Sequence, residues 1–469
     1  MIFFAIGFGM CLTILDQSAV NIALPQIASQ FQAKITEVQW VAIGYGLTAG
    51  AFMLPMGSLS DLLGRRKLYV TGFLISAAGA LVSGLAPSLL IAIIFRSLQG
   101  VGGAMVQSNA LAIMITTFSA EKRGLVIGTF MTIVGVSSVV GPILGGLIVD
   151  QFSWRLLLIY PSPLLLIAAL FSLYVLPDIK PSTENPDNKL NNFDWKGSII
   201  LCFALLVTML TITNGPTLGW FSPVIIVSIV ISLVLTVTFI FQQRNSESPL
   251  IPTDFYKHKI FTFGCTASFL AFFTGTSVFF IMPFFLQGVL DYSPGKSGLI
   301  ITPMAGFFAL SGPLAGYFSD KLGWRKIEML GLITLVVALL GLSFANPQTV
   351  LISLIPFLGC IGLGMGLFYS PNSASVLSVI PAERYGIATA FLNLIRNSSN
   401  IIGVSVTTAI VTGIMGNMGY APSLDVLENL TDINGVKNAF STGLRLSFLA
   451  QLSLIASALY LTFKKGVSN

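Results

Sequence analysis

The segment "GSLSDLLGRRK" (57–67) returns later in the chain as "GYFSDKLGWRK" (316–326). Glycine, Ser-Asp, a second glycine and Arg-Lys stand at matching offsets, and Asp61 and Asp320 are 259 residues apart (320 − 61). A second pair of segments, "SAEKRG" (119–124) and "PAERYG" (381–386), recurs at nearly the same separation, 262 residues (383 − 121). The sequence therefore predicts two related halves arranged in tandem.

The composition is that of an integral membrane protein. Hydrophobic residues make up 54% of the 469 residues, charged residues only 9%, and the mean hydropathy is +0.88. Such a chain is too apolar for a water-soluble globule. In lipid only helices or closed barrels satisfy the backbone, and the apolar runs here are continuous rather than alternating. We therefore expect an all-α integral membrane protein.

Continuous apolar runs predict fourteen membrane spans. They lie at 2–24, 39–57, 68–86, 88–113, 124–149, 155–176, 197–214, 223–242, 260–287, 297–318, 328–345, 349–372, 386–415 and 440–463. The repeat divides them into an N-terminal six-helix bundle (1–176), a linker with two extra helices (177–259) and a C-terminal six-helix bundle (260–469). Parallel repeats are one architecture of secondary transporters, which bind substrate near the midplane between the halves.

Basic residues give the predicted spans an orientation. With the amino terminus in the cytoplasm, seventeen Lys and Arg residues fall in inner loops and four in outer loops (Lys34, Arg155, Lys296 and Lys437). This asymmetry is typical of cytoplasmic loops. We therefore expect a multi-pass protein of the cell membrane with both termini in the cytoplasm. Its net charge of +6 indicates contact with anionic membrane lipids rather than with nucleic acid.

The sequence offers few groups for metal or redox chemistry. The four cysteines fall within predicted spans and form no CxxC pair, which indicates packing residues. The single histidine, His258, lies in a basic loop and cannot build a histidine metal site or a catalytic triad. We expect no metal, no cofactor and no enzymatic activity, and we expect a monomer.

The repeated loop resembles the loop between the second and third spans of the major facilitator superfamily. More narrowly, the fourteen spans and several further segments resemble the drug:proton antiporters with fourteen transmembrane helices. These segments are "LDQSAVNIALP" (15–25), "VQWVAIGYGL" (38–47), "RSLQGVGGA" (96–104) and "GVSSVVGPILGG" (135–146). The resemblance implies the major facilitator fold and proton-coupled multidrug efflux by rocker-switch alternating access.

The repeated loop can act as a conformational latch. Its glycines allow close helix approach and a tight turn, and its charges can bridge helix ends and anionic headgroups. An ordinary loop with positive charge on the inside is the simpler interpretation. The repeat and the resemblance favour charge contacts that break and re-form as the halves rock. The latch residues are Gly57, Asp61, Gly64, Arg65, Arg66, Asp320 and Arg325.

A glycine-rich helix follows in the first half. Gly141 and Gly145 form a pair of small residues that allows a neighbouring helix to approach closely, and Pro142 favours a kink. Ordinary helix packing would explain the same pattern. The resemblance implies that this segment is typical of exporters and seals the contact between the halves. Its residues are Gly135, Gly141, Pro142, Gly145 and Gly146.

Four ionisable side chains fall inside the predicted spans: Asp16, Arg96, Arg396 and Arg445. Such residues are costly in lipid and are candidates for function. Arg445 lies near the outer end of its span and can extend to the interface. Arg396, in "LNLIRNSSN" (392–400), is expected near the midplane. It either hydrogen-bonds carbonyls and asparagines structurally or faces the cavity and meets substrate.

Asp16 and Arg96 are expected at one depth. Each lies about eight residues from the outer end of its span, which places both ~12 Å below the outer surface. An ion pair is then possible, and a purely structural pair is the simpler alternative. For the functional alternative, Arg96 favours the charged carboxylate and burial favours the protonated one. Rocking the halves would then change where protons are taken up and released, and a cationic substrate would compete with the proton for Asp16.

Other polar and aromatic residues are candidates for a mainly apolar substrate cavity. From the first half these are Gln17, Asn21, Tyr45, Gln99, Gln107 and Asn109; from the second they are Phe280, Tyr369, Asn372, Asn393 and Arg396.

Three hypotheses about function remain open at this point. The first is a proton-driven exporter of amphipathic or lipophilic compounds, including drugs. The second is an exporter or flippase of a lipid or an endogenous neutral or anionic metabolite, because two deep arginines against one acid leave the cavity positive. The third is a membrane enzyme or sensor without transport, which the absence of a carboxylate pair or nucleophile constellation in the spans disfavours.

Overall fold

The computed structural model describes residues 1–33, 35–118, 123–177, 193–219, 221–246, 249–251, 254–292, 294–420 and 432–465. Within these ranges the chain forms fourteen long helical segments. They are α1 (Ile2–Phe31), α2 (Trp40–Leu63), α3 (Arg65–Leu85), α4 (Leu89–Thr117), α5 (Arg123–Gln151), α6 (Trp154–Ile159 and Pro161–Val175), α7 (Trp195–Leu218), α8 (Pro223–Asn245), α9 (Lys259–Phe284, continued by a π-helical turn Phe285–Val289), α10 (Pro294–Leu322), α11 (Trp324–Leu342), α12 (Leu351–Ser378), α13 (Tyr385–Asn417) and α14 (Ile433–Lys465).

Of the helices in the described residues, thirteen are long and apolar enough to cross a membrane. Helix α11 is the exception, because its first two turns carry Arg325, Lys326 and Glu328. The predicted number of fourteen spans is therefore not confirmed, although an all-helical membrane fold is.

The two halves repeat the same helix contacts. In the first half α3 packs on α4, α2 on α4, α1 on α5 and α3 on α6; in the second half α11 packs on α12, α10 on α12, α9 on α13 and α11 on α14. Each contact in one half has its counterpart eight helices later. The repeat predicted from two short loops thus extends to the packing of the helices.

Two matching seams join the halves, α2 against α13 and α5 against α10. In the second seam the backbones touch. A Cβ atom on Gly128 would overlap the carbonyl oxygen of Gly312, and one on Gly316 would overlap the carbonyl oxygen of Gly124. Only glycine permits this approach, which brings the halves into direct backbone contact.

The two inserted helices lie beside the other seam. Helix α7 contacts α2 and α13, one helix from each half, while α8 packs on α7 and exposes most of its surface. Asp194 joins the pair: it accepts hydrogen bonds from the Gly197 N–H at 2.8 Å, from Gln242 Nε2 at 2.8 Å and from Gln243 Nε2 at 2.5 Å. The inserted pair is thus fixed against a seam between the halves.

The carboxyl end of α1 differs from the sequence prediction. Helix α1 continues to Phe31, past the predicted end at residue 24, and stops where Gln32 adopts a left-handed conformation with φ 50°. The tight turns in the repeated loops agree with their glycines, because Gly64 and Gly323 have φ angles of 104° and 87° that other residues rarely adopt.

Candidate functional site

Asp16 of α1 and Arg96 of α4 form a buried ion pair. Arg96 Nη1 donates to Asp16 Oδ1 at 2.9 Å and to Oδ2 at 2.8 Å, and Nη2 donates to the Asp16 carbonyl oxygen at 3.2 Å. The side chains of Asp16 and Arg96 are 3% and 0% exposed. The structure therefore brings together the two residues that the sequence placed at one depth.

Gln99 and Tyr45 complete this group. Gln99 Nε2 donates to Asp16 Oδ2 at 2.9 Å, and its Oε1 accepts from Arg96 Nη1 at 2.8 Å. The Tyr45 ring centroid lies 4.9 Å from the Arg96 guanidinium carbon, which allows a cation–π contact. We call Asp16, Arg96 and Gln99 the charge cluster. A proton on one Asp16 carboxylate oxygen would turn that acceptor into a donor and so disturb the bonds that the carboxylate accepts from Arg96 and Gln99.

The glycine-rich segment of α5 packs mainly against α1, beside the charge cluster. A Cβ on Gly141 would overlap the Ser18 hydroxyl, and one on Gly145 would lie 3.0 Å from the Ala19 Cβ. Gly135 alone among the named glycines approaches the other half, with Phe308 3.1 Å from its added Cβ. Gly146 has open space around it, and the side chain of Pro142 lies outside the described residues. The expectation that the whole segment seals the contact between the halves is therefore wrong for Gly141 and Gly145, because they face α1 of their own half.

Asp61 crosses between the halves. Its Oδ1 accepts from the Gly386 N–H at 3.1 Å and its Oδ2 from the Ile387 N–H at 2.9 Å, so it caps the first turn of α13. Arg65 pairs with Asp61 at 2.9 Å and donates to the Ala382 carbonyl oxygen at 2.8 Å. An acid at a helix amino terminus is also favoured by the helix dipole.

Asp320 makes the matching contact in the opposite direction. Its Oδ1 accepts from the Gly124 N–H at 3.1 Å and its Oδ2 from the Leu125 N–H at 3.2 Å, at the start of α5 in the first half. Each half therefore caps a helix of the other half. Both caps lie at the end of the bundle where Arg65 and Lys67 stand in the first turn of α3 and Lys321 in the last turn of α10, which we call the basic end.

The remaining latch residues have separate contacts. A Cβ on Gly57 would overlap the side chain of Ala390, so α2 and α13 approach closely there. Arg66 donates to the Leu173 carbonyl oxygen of α6. Arg325 donates to the Phe463 carbonyl oxygen at 3.0 Å, within its own half.

The predicted cavity residues of the first half are distributed around the charge cluster. Gln99 belongs to it and Tyr45 contacts it, whereas Gln17 is exposed and the side chain of Asn21 lies outside the described residues. Gln107 and Asn109 are buried on α4, and the Gln107 carbonyl oxygen accepts from Asn393 Nδ2 of the other half at 3.1 Å.

The predicted cavity residues of the second half do not form one group. Phe280 packs on Phe284 with ring centroids 5.3 Å apart, and Tyr369 packs on Phe272 at 5.1 Å. Asn372 is bound to a second ion pair described next. Asn393 and Arg396 are the members on α13, which contacts both halves.

Glu328 and Lys465 form a second buried ion pair that the sequence reading missed. Lys465 Nζ lies 3.1 Å from Glu328 Oε2, and both side chains are 0% exposed. Lys465 also donates to Asn372 Oδ1 at 2.8 Å, and Thr462 donates to Glu328 Oε1 at 3.1 Å. We had expected Asp16 to be the only acid buried in the helices, and Glu328 shows that this expectation is wrong. Glu328 stood at the edge of a predicted span and Lys465 beyond one, so neither was counted as intramembrane.

Sequence comparison decides the family. The chain matches the model of the Major Facilitator Superfamily over residues 6–404. It belongs to this superfamily. The chain is therefore a membrane transporter of small molecules and not an enzyme.

Two curated relatives of this Major Facilitator Superfamily transporter are similar over most of their length. This chain is 29% identical over 409 residues to the multidrug resistance protein Stp of Mycobacterium tuberculosis, and the match covers 87% of this chain and 75% of Stp. It is 31% identical over 403 residues to the riboflavin transporter RibZ of Clostridioides difficile, covering 85% of each chain.

A solved transporter supports the fold. The proton:xylose symporter XylE superimposes with a TM-score of 0.66 at 13% identity, covering 99% of this chain and 94% of XylE. The major facilitator fold predicted from the repeated loop is confirmed, whereas the narrower drug:proton antiporter family stays a prediction.

Proposed function

We propose that this superfamily member is a proton-driven exporter of amphipathic or lipophilic small molecules such as drugs, and that it belongs to the antiporters with fourteen helices. The observation that carries the proposal is the charge cluster, in which a buried carboxylate is held by one arginine and one glutamine. Ionisable groups inside a membrane bundle are costly and mark proton or substrate pathways.

The charge cluster can exist in two states of different structure. With Asp16 charged, Arg96 and Gln99 both donate to its carboxylate. With Asp16 protonated, the ion pair is lost and Arg96 keeps only neutral partners, among them the Gln99 Oε1 and the Asp16 carbonyl oxygen. Because the two states prefer different surroundings, proton binding can bias the position of α1 against α4.

Rocker-switch movement would carry this bias to the basic end. The caps made by Asp61 and Asp320 hold the halves together there, and opening must break both. The packing of Gly141 on α1 beside Asp16 offers a mechanical route, because α5 also forms the seam with α10. Protonation at Asp16 and separation of the halves are then linked through α1 and α5.

Relatives give the cargo class its support. Stp is named a multidrug resistance protein, and another relative from Streptomyces glaucescens is named a tetracenomycin C resistance and export protein. Export of amphipathic compounds from the cytoplasm across the cell membrane is the function that these names favour for this chain.

A second candidate is export of an endogenous neutral or anionic metabolite or a lipid. Arg396 favours it, since this buried cation faces no carboxylate among the described residues. The relative RibZ is named a riboflavin transporter, which is consistent with a metabolite as cargo.

The experiment uses purified protein in liposomes with an imposed pH gradient. Ethidium and riboflavin serve as probes of the first and second candidate, and proton release on probe addition is followed with a lumenal pH dye. We expect Asp16→Asn to abolish probe-driven proton release, and Arg445→Gln, at an exposed position, to leave it unchanged. Transport by Asp16→Asn with unchanged proton dependence would show that the coupling proposal is wrong.

A further inference from the structure

Arg396 differs from every other buried cation in the described residues. Four cationic side chains are buried there: Arg65, Arg96, Arg396 and Lys465. Three of them pair with a carboxylate, at 2.9 Å for Arg65, 2.8 Å for Arg96 and 3.1 Å for Lys465. Within the described part of the chain, Arg396 has no carboxylate within 4.0 Å.

The surroundings of Arg396 leave most of its guanidinium unbound. The described contact of its side chain is weak, from Nη1 to the Met131 sulfur at 3.9 Å on α5 of the other half. Its Nε and Nη2 have no hydrogen-bond partner among the described residues. The residue is only 8% exposed, so these two donors are largely removed from water.

Neighbouring polar side chains on α13 are already bound elsewhere. Asn393 donates to the Gln107 carbonyl oxygen at 3.1 Å, and Asn400 accepts from Thr276 at 2.6 Å. Arg396 is the one charged residue of α13, and its Nε and Nη2 donors have no partner among the described residues. It lies ten residues after Gly386 at the basic end, which is about 15 Å deeper along the helix.

A buried charge without a partner is unfavourable, because it loses its hydration and gains no counter-charge. The guanidinium fork is suited to a planar or tetrahedral anion, since two parallel N–H groups can bind a carboxylate or phosphate. With the other buried cations of the described residues paired to carboxylates, an anionic ligand group would balance the positive charge of Arg396, whereas a cation would add to it.

We infer that Arg396 binds the anionic group of the transported molecule, so that the cargo is an amphipathic anion carrying a carboxylate or phosphate. This inference rests on the proposed export function and names its substrate class. The body of the cargo would lie against methionines of the first half: Met131 contacts Arg396, and Met53 lies 3.9 Å from the Asn397 amide nitrogen. Methionine adapts to irregular apolar and aromatic surfaces.

The test is equilibrium binding of four probes that share one ring system. They are 2-naphthoate, 2-naphthyl phosphate, 2-naphthylmethanol and 2-naphthylmethylammonium. The dissociation constants are measured by calorimetry with the full chain in lipid nanodiscs, and nanodiscs without protein correct for partition into lipid. The two anions distinguish a carboxylate cargo from a phosphate cargo.

We expect one anion to bind at least about tenfold more tightly than the alcohol, and the ammonium compound to bind most weakly. Arg396→Gln should weaken binding of that anion about tenfold or more, the scale of a lost charge-assisted contact, and leave the alcohol unchanged. Arg396→Lys should retain part of the preference, because the charge remains and the fork is lost. Arg445→Gln, an exposed arginine on α14, is the matched control and should change none of the four values.

Several results would overturn the inference. They are equal binding of anion and alcohol by the unmodified chain, tighter binding of the ammonium compound, an equal loss for all probes in an Arg396→Gln variant that keeps the thermal midpoint of the unmodified chain, or no binding of either anion. The preference of the unmodified chain needs no variant, so a misfolded Arg396→Gln does not remove the test. Binding is measured without a pH gradient, so failure of proton coupling at Asp16 would leave this result standing, and the reverse also holds.

Discussion

The carboxylate of Asp61 in the first half lies 3.1 Å from the backbone N–H of Gly386 in the second half. Asp320 repeats the contact toward Gly124 of the first half, also at 3.1 Å. The two caps differ in one respect. Asp61 is also paired with Arg65, which reaches the Ala382 carbonyl oxygen across the seam, whereas no described cationic side chain lies within 4.0 Å of Asp320.

Asp61→Asn should therefore open the basic end more than Asp320→Asn does. Each change removes a charge-assisted acceptor at a helix amino terminus, an effect of about 1.5–3 kcal/mol on the closed state. Loss at Asp61 also releases the bridging arginine. Spin labels at the exposed positions of Lys67 and Lys326, one in each half, would report the separation in a cysteine-free background. Equal opening in both variants would contradict the asymmetry.

Gly316→Ala should weaken the seam between α5 and α10. The added Cβ overlaps the Gly124 carbonyl oxygen, a backbone atom that cannot rotate away. Overpacking of this kind costs about 1–3 kcal/mol. Gly306→Ala on the same helix is the matched control, because its Cβ meets nothing within 4 Å. Thermal unfolding of the purified variants should show a lower midpoint temperature for Gly316→Ala alone. Equal midpoint temperatures for the two variants would show that α5 and α10 do not pack closely at Gly316.

Much of the fold could be predicted because lipid leaves few choices. A repeated loop and long apolar runs were enough for two helical halves with an inserted pair. The exact helix ends could not be predicted: α1 continues to Phe31, and in this extension Gln26 donates to the Val149 carbonyl oxygen of α5 at 3.4 Å, a contact that one sequence does not reveal.

The site was predictable where a charge stood alone in an apolar run, as Asp16 and Arg96 do. Glu328 and Lys465 were missed because each lies within a basic segment at a helix end, where a charge is expected in any membrane protein. Their contact joins residues 137 positions apart, and one sequence does not reveal which faces of α11 and α14 meet.

Glu328→Gln should destabilise the protein strongly. It leaves the Lys465 ammonium buried without a counter-charge, and breaking one side of a buried pair costs about 3–5 kcal/mol. The double change Glu328→Leu with Lys465→Met should recover most of that loss, since apolar side chains of similar size need no pairing. Denaturation of purified protein gives both values. If the double variant is no more stable than Glu328→Gln, the pair itself is not the source of the stability.

Acid should loosen the start of α14. Asp432 accepts from the Gly435 N–H at 3.0 Å and from the Tyr420 hydroxyl at 2.9 Å, and these bonds hold the pKa of Asp432 below its usual range, the Gly435 bond most strongly. A carboxyl group with a lowered folded pKa stabilises above its unfolded pKa, and the effect is lost as pH falls through the folded value. The protection factors for amide hydrogen exchange at residues 433–437, which already correct for the intrinsic pH dependence of exchange, should therefore rise as pH increases through the folded and unfolded pKa of Asp432. In Asp432→Asn the protection factors should not rise over this pH range. If they rise as in the unmodified chain, another group is responsible for the effect.

Gly141→Ala should impair proton coupling through α1. The added Cβ overlaps the Ser18 hydroxyl and lies 2.9 Å from the Leu15 carbonyl oxygen, so α1 must shift on both sides of Asp16. A strain of 1–3 kcal/mol at this contact would reduce probe-driven proton release about tenfold, because Asp16 would no longer meet Arg96 and Gln99 with the same geometry. Gly146→Ala on the same helix has open space for its Cβ and should release protons at the unmodified rate. An equal loss of proton release in both variants would indicate that the glycine-rich segment serves general helix packing. A loss in Gly141→Ala alone would indicate that the segment acts through the charge cluster.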